Sequence, residues 1–319
     1  MGKIKISTQL IVDEAQSRGW GAEFFDSSAT SLVKITPPGE KSKLFKSTVT
    51  MLDSYVGGSV TNNKYETYLV LKDAGLPVPE TALFNSTDSN RFIEAHSPVV
   101  IKPATTDHGD GITINIVTTE GAAEAYRYAQ NYTSGPILIQ EQLPGHDHRL
   151  LVVGEKVFVA RRRKPVVVGD GVSTIQNLIE SLNRDPRRGA EHSKPLSTIS
   201  VEQVEQYLGA RIGSIPQKGE VVEILGTSNL SSGGESVELS SVAHQSFRDY
   251  AVQAARLLGL RVCAVDMMCE DITRPAAAQR CGIIEMNVLA GIRMHHFPSE
   301  GEPVNVAAAI LDEVFRREL

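Results

Sequence analysis

Two short runs near the C-terminus, Cys263-Ala264-Val265-Asp266-Met267-Met268 and Ile283-Ile284-Glu285-Met286-Asn287, set apolar residues around isolated acids. Both predict buried strands. Similar apolar runs predict strands over 97–103, 112–117 and 136–141, and the pair 149–153 and 156–163, joined through Gly154, reads as a hairpin. Helical spacing covers 11–18, 120–131, 243–258 and 304–317, with a β-type run over 31–36. A further helix over 64–74 has an Asn of Thr61-Asn62-Asn63 as its cap and Gly75 at its end, and Pro77 and Pro79 forbid its continuation. Over 173–183, Ile175, Leu178, Ile179 and Leu182 share one helical face.

The alternation of strands and helix between 97 and 141 suits a small α+β lobe. Residues 165–240 are polar and rich in Gly, Ser and Pro; an insertion this long is usually functional.

The bulk numbers narrow the class. A chain of 319 residues with 41% hydrophobic and 22% charged residues is an ordinary globular protein with room for two or three compact parts. A net charge of −6 gives no support for nucleic-acid binding. The one basic run, Arg161-Arg162-Arg163-Lys164, sits in a strand-like context and suits a phosphate site better than a tail. Cys263, Cys269 and Cys281 are odd in number and lack metal-ligand spacing, which predicts a reduced, cytoplasmic setting. Neither a signal-peptide core at the N-terminus nor an apolar run of about 18 residues is present, so no membrane partner is expected.

Several residues carry candidate chemistry. Glu285 and Asn287 are two apart, so on a strand their side chains leave one face, and Asp266 on a neighbouring strand supplies a third oxygen ligand. Hard oxygen donors of this kind suit Mg²⁺. The plain alternative is acids at strand ends meeting solvent. Lys102 ends an apolar strand, where it either contacts nucleotide phosphates or snorkels to water. The loop Asp107-His108-Gly109-Asp110-Gly111 is either a phosphate loop or a hairpin turn. The run from Gln140 to Arg149 gathers acids, histidines and an arginine around a chain reversal, as a nucleoside pocket or a polar loop does. Arg161 and Arg163 share a strand face and suit charge neutralisation of a phosphoryl group; a solvated face is the alternative. Arg293 can clamp a carboxylate or phosphate by two parallel hydrogen bonds.

These segments together resemble the ATP-grasp superfamily, nearest to the ATP-grasp region of cyanophycin synthetases and the glutathione-synthesising part of bifunctional glutathione synthetases. The resemblance rests on 99–103, the His108-Gly109-x-Gly111 loop, 143–154, 168–175, 183–189, Asn229-Leu230-Ser231-Ser232-Gly233-Gly234 and the strands of Asp266 and Glu285-x-Asn287. It implies an α+β/α/β ATP-grasp fold holding a nucleotide between two α+β lobes. The expected division is a short pre-ATP-grasp segment at 1–60, a small lid lobe at 61–142 and a C-terminal lobe at 143–319 containing the 165–240 insertion. Lys64 and Lys102 match phosphate-contacting lysines, and His108, Gly109 and Gly111 the mobile phosphate loop. Glu141 and Leu143 match the adenine hinge, with Asp147 at the ribose. Arg161 joins the nucleotide-binding set. Asp266, Glu285 and Asn287 match the ligands of magnesium, expected as two ions, with manganese an alternative. Arg149, Arg163 and Arg293 would stabilise an acyl phosphate.

The implied activity is an ADP-forming carboxylate–amine ligase acting on amino acids or small peptides, with a homodimer left open. Alternatives are a non-catalytic, regulatory ATP-binding protein and an ATP-grasp enzyme acting on a protein or peptide terminus. Two departures bear on this. Asp110 stands where the family commonly has arginine, and Leu289-Ala290-Gly291-Ile292-Arg293 replaces Ala-Pro-Gly-Leu-Arg, altering a turn that helps hold the acceptor. The Mur-ligase-like half of cyanophycin synthetases and the glutamate–cysteine ligase part of the bifunctional enzymes do not occur in these residues, so a stand-alone enzyme is expected.

Overall fold

The computed structural model describes residues 4–25, 31–85, 88–106, 109–189 and 194–316. The chain forms two compact units, one from Met1–Thr48, Ala160–Leu239 and Gly291–Leu319, the other from Val49–Val159 and Ser240–Ala290. Each unit gathers segments far apart in sequence, so their bounds differ from the contiguous segments 1–60, 61–142 and 143–319.

The second unit contains two sheets. In the first, the strand order is Thr81–Leu83, Ile137–Glu141, Val99–Pro103, Thr113–Ile116. The inner pair are apolar runs whose antiparallel register sets Ile101 opposite Ile139. Ile93, Val99, Ile101, Ile116, Ile137 and Ile139 pack there against Ala122, Ala125 and Ala129, the small-residue face of the Thr119–Ala129 helix. The Lys64–Asp73 helix starts as its sequence demands: Asn63 Oδ1 accepts from the Tyr65 and Glu66 N–H groups. Gly75 follows in the left-handed region at φ 71°.

In the other sheet His146–Val153, Val262–Cys269 and Cys281–Asn287 lie side by side in that order. Its register is the central fact for the site, because Asp266 stands directly opposite Arg149 on one side and Glu285 on the other. Opposite residues in an antiparallel pair share a face. Ala264 likewise faces both Leu151 and Asn287. A bulge follows, Met267 pairing with Ile283 so that Ile284 has no opposite number. The Gln245–Leu257 helix, capped by the His244 ring, packs on this sheet through buried Phe247, Ala251, Ala254 and Ala255. The His146–Val153 strand begins earlier than 149, so the chain reversal occupies only 142–145 and His146, Asp147 and His148 are strand residues. Gly145 makes that turn at φ 97°, and a Cβ there would lie 2.3 Å from Cys269 O.

In the first unit, Gly21–Phe24, Leu32–Thr36 and Lys43–Lys46 form an antiparallel meander beside the Ile6–Ser17 helix, which in turn packs on Val306–Val314. The N-terminal helix begins five residues earlier than the predicted 11–18, because Ile6 to Leu10 continue the same turn pattern. The 165–240 segment is not the loose polar stretch its composition suggests. It carries an apolar interior of its own, with Val167, Ile175, Ile179, Ile199, Val204, Val222 and Ile224 all buried. These residues are spread thinly among Gly, Ser and Pro, so average polarity conceals them.

Candidate active site

In the second unit Asp266, Glu285, Asn287 and Arg149 share one sheet face, with Lys64 reaching Glu285 from the Lys64–Asp73 helix and Lys102 lying on the other sheet. Arg149 Nε donates to Asp266 Oδ1 and Nη2 to Oδ2, both at 2.7 Å, and the Asp266 side chain is 0% exposed. Lys64 Nζ lies 3.1 Å from Glu285 Oε1 and also donates to Thr106 O. Lys102 Nζ, 5% exposed, donates to Gln140 Oε1 at 2.8 Å and makes a long 3.5 Å contact with Ile284 O, the carbonyl at the bulge. Burial lowers the Lys102 pKa to about 8, with Glu285 opposing the shift and Lys64 adding to it. Each Asp266 oxygen accepts one hydrogen bond from Arg149 and keeps a lone pair, while Arg149 spends Nε and Nη2 on Asp266 rather than facing solvent as a free fork. The reason is the strand register, which places a bidentate match side by side.

The nucleoside-side residues fall as follows. Glu141 ends the Ile137–Glu141 strand; its N–H donates to Glu80 O, while its carboxylate pairs with Arg280 and accepts from Glu80 N–H. Leu143 is buried, its Cδ1 lying 2.8 Å from where a Cβ on Gly282 would be, so Gly282 admits it. Asp147 shares the face of Arg149, two residues away on the strand. The Gln142 side chain accepts from the Asn115 backbone N–H and donates to Asn115 Oδ1, with Asn115 at φ 60°.

In the phosphate-loop candidate, Gly109 and Gly111 adopt φ 86° and 73°, and Thr106 Oγ1 donates to Asp110 O. A Cβ on Gly111 would meet Pro103 Cγ at 2.9 Å and Ala129 Cα at 3.3 Å, so only glycine fits that close approach. His108 lies outside the described residues. Asp110 is exposed, and its charge adds to the rise of the Tyr128 hydroxyl, which its hydrogen bond to Tyr132 chiefly causes.

The remaining candidates belong to the first unit. Arg163 pairs with Glu235 at 3.1 Å and Glu300 at 2.9 Å. Arg161 lies on the same strand face, with its Nε buried and without a hydrogen-bond partner. Arg293, 5% exposed, donates to Ser197 Oγ, Leu230 O and Lys194 O. Sequence reasoning missed Gln140, Thr106, Arg280 and Arg188. Gln140 carried a signal, since a lone amide inside a buried apolar strand needs a partner.

Among the described residues no group of three or more His, Cys, Asp or Glu is placed to hold a metal, so any metal set here depends on the Asn287 amide or on ligand oxygens. No helix among them is long and apolar enough to cross a membrane. Residues 61–170 match the ATP-grasp domain family. The structure also superposes on a crystal structure of a bifunctional glutathione synthetase from Pasteurella multocida, with TM-score 0.74, 29% identity and coverage of 98% of this chain and 44% of that one. The chain has the ATP-grasp fold. In sequence this ATP-grasp chain is 36% identical to the cyanophycin synthetase of Trichormus variabilis over 98% of its length. It is 32% identical to the glutathione biosynthesis bifunctional protein of Clostridium perfringens, again over 98%. It spans 35% and 41% of those two relatives.

Proposed function

We propose that this chain is an ATP- and Mg²⁺-dependent ligase that joins a carboxylate to an amine, on amino acids or small peptides. The observation that carries the proposal is the shared face of Asp266, Glu285 and Asn287, flanked by Lys64, Lys102 and Arg149. Lys64, Lys102 and Arg149 set three cationic side chains beside this face, as neutralising a polyphosphate requires. The similarity to synthetases of amide-linked products supports the same reading.

The donor set fits magnesium in chemistry, all oxygens and two of them carboxylate. Asp266, Glu285 and Asn287 would hold it, and the bound ion would neutralise charge on the transferring phosphoryl group. Lys64 and Lys102 bind phosphate oxygens, and Lys64 exchanges Glu285 for them. Arg149 orients Asp266 through its two hydrogen bonds. The Gly109–Gly111 backbone offers N–H groups with no side chain in the way. In the reaction a substrate carboxylate oxygen attacks the γ-phosphorus and ADP leaves. The amine then attacks the acyl carbon, loses a proton, and phosphate departs with the bonding pair. Positioning and charge neutralisation suffice, and no protein nucleophile takes part.

The test is product analysis. Purified chain with MgATP and pooled amino acids is expected to release ADP and phosphate only when a carboxylate and an amine are both supplied. AMP and pyrophosphate, or hydrolysis indifferent to acceptor, would overturn the proposal.

A further inference from the structure

The first unit holds cations with no role in the nucleotide chemistry above. Arg293 Nη2 donates to Ser197 Oγ at 3.0 Å and Leu230 O at 2.6 Å, and Nη1 to Lys194 O at 3.3 Å. Every one of these partners is neutral, and burial pulls the Arg293 pKa down to about 10. Arg188 reaches the same residue, Nη1 donating to Ser197 O at 2.8 Å, while its Nε is buried without a partner. Burial lowers the Arg188 pKa too, with Glu235 opposing. Two guanidinium groups therefore converge on buried Ser197, one on its carbonyl and one on its hydroxyl. Among the described residues neither forms an ion pair, whereas Arg163 nearby in sequence has two. Buried charge held this way is unfavourable until a counter-ion arrives.

The surrounding backbone is built for this convergence. Arg188–Gly189 and Leu196–Ser197 pair in parallel, setting Gly189 beside Ser197. Leu230 O is delivered by a tight turn ending at Gly233, at φ 103°, where a Cβ would lie 2.5 Å from the buried Ile199 side chain.

We propose that Arg188 and Arg293, anchored on Ser197, form a binding site for the carboxylate of a small acid. The guanidinium fork matches a planar pair of oxygens, and an orphaned Nε completes the donor set. Glu235, close enough to act on Arg188, repels a phosphate dianion more strongly than a carboxylate. The site stands independently of the ligase reading, because it needs neither nucleotide nor metal.

Calorimetric titration of the full chain, without ATP or Mg²⁺, tests it with succinate, aspartate, inorganic phosphate and uncharged acetamide. Saturable binding is expected for the two acids, none for acetamide, and at least about tenfold weaker binding for phosphate. Arg188→Gln is expected to reduce acid affinity at least about tenfold while ATP affinity is unchanged. Arg188→Lys, which keeps the charge and loses the fork, is expected to bind weakly too and serves if the first variant does not fold. Absence of acid binding, phosphate bound as tightly as acid, or acid binding indifferent to both variants would each overturn the proposal.

Discussion

Arg149 and Asp266, 117 residues apart in sequence, stand directly opposite each other on neighbouring strands and form a two-pronged ion pair, 2.7 Å at each contact. Asp266 is inaccessible to solvent while Arg149 keeps a partly exposed edge. The pair thus couples stability to any function of the sheet face. Arg149→Met leaves a buried carboxylate without its cation and is expected to destabilise the chain by about 3–5 kcal/mol. The double variant with Asp266→Leu is expected to recover most of that loss while remaining inactive. Urea unfolding of both variants measures it, and a single variant as stable as wild type would show the pair to be idle.

Glu285 is the less buried acid of the face, its side chain 25% exposed. Glu285→Gln keeps the shape and removes a charge, so the folded chain should persist with a melting temperature close to wild type. ADP release is expected to fall by at least about a hundredfold, the scale lost when one charge-stabilising group is removed. Turnover near wild type would remove this carboxylate from the proposed site.

Lys102 makes the stability depend on alkaline pH. Its pKa is about 8 when folded and near 10.5 when unfolded. Between those values the unfolded chain binds the extra proton, so stability attributable to this group rises with pH from 8 to 10.5 and is lost as pH falls through 8. Lys102→Met is expected to flatten that rise, by at most about 3 kcal/mol, in denaturation series across the range. Identical pH slopes in the two proteins would contradict the assignment.

Gly111 lies against Pro103 and the Thr119–Ala129 helix at a backbone angle open mainly to glycine. Gly111→Ala is expected to cost about 1–3 kcal/mol in local strain. Its larger effect falls on the loop, so KM for ATP is expected to rise more than kcat falls. Steady-state kinetics separates the two, and an unchanged KM would deny the loop a phosphate role.

Much of this was legible in residue order. Asn63 and Gly75 frame a helix by rules that act within a few residues, and the apolar runs around Asp266 and Glu285 are strands because nothing else buries such patterns. The pairings were not legible. Which strand lies beside Val262–Cys269 is set by packing over more than a hundred residues, and only that register reveals Arg149 as the partner of Asp266. The Ile284 bulge, which leaves a carbonyl facing Lys102, follows from the same register. Arg280 could not be tied to Glu141 for the same reason. In the insertion, Ile199, Val204 and Ile224 are separated by polar stretches, so their common interior shows no period to read.

That insertion also changes how the chain must find its pairing. Val166–Val168 and Val221–Glu223 pair antiparallel, so the segment between them zips shut at its own base. Arg163 and Glu235 are 72 residues apart along the chain, yet once the base has closed they are separated by a short effective path. Bringing distant ends together carries an entropy penalty that grows with loop length. Early closure of the insertion therefore acts as a shortcut, giving the strands on either side of it the search problem of a hairpin rather than of a long-range contact.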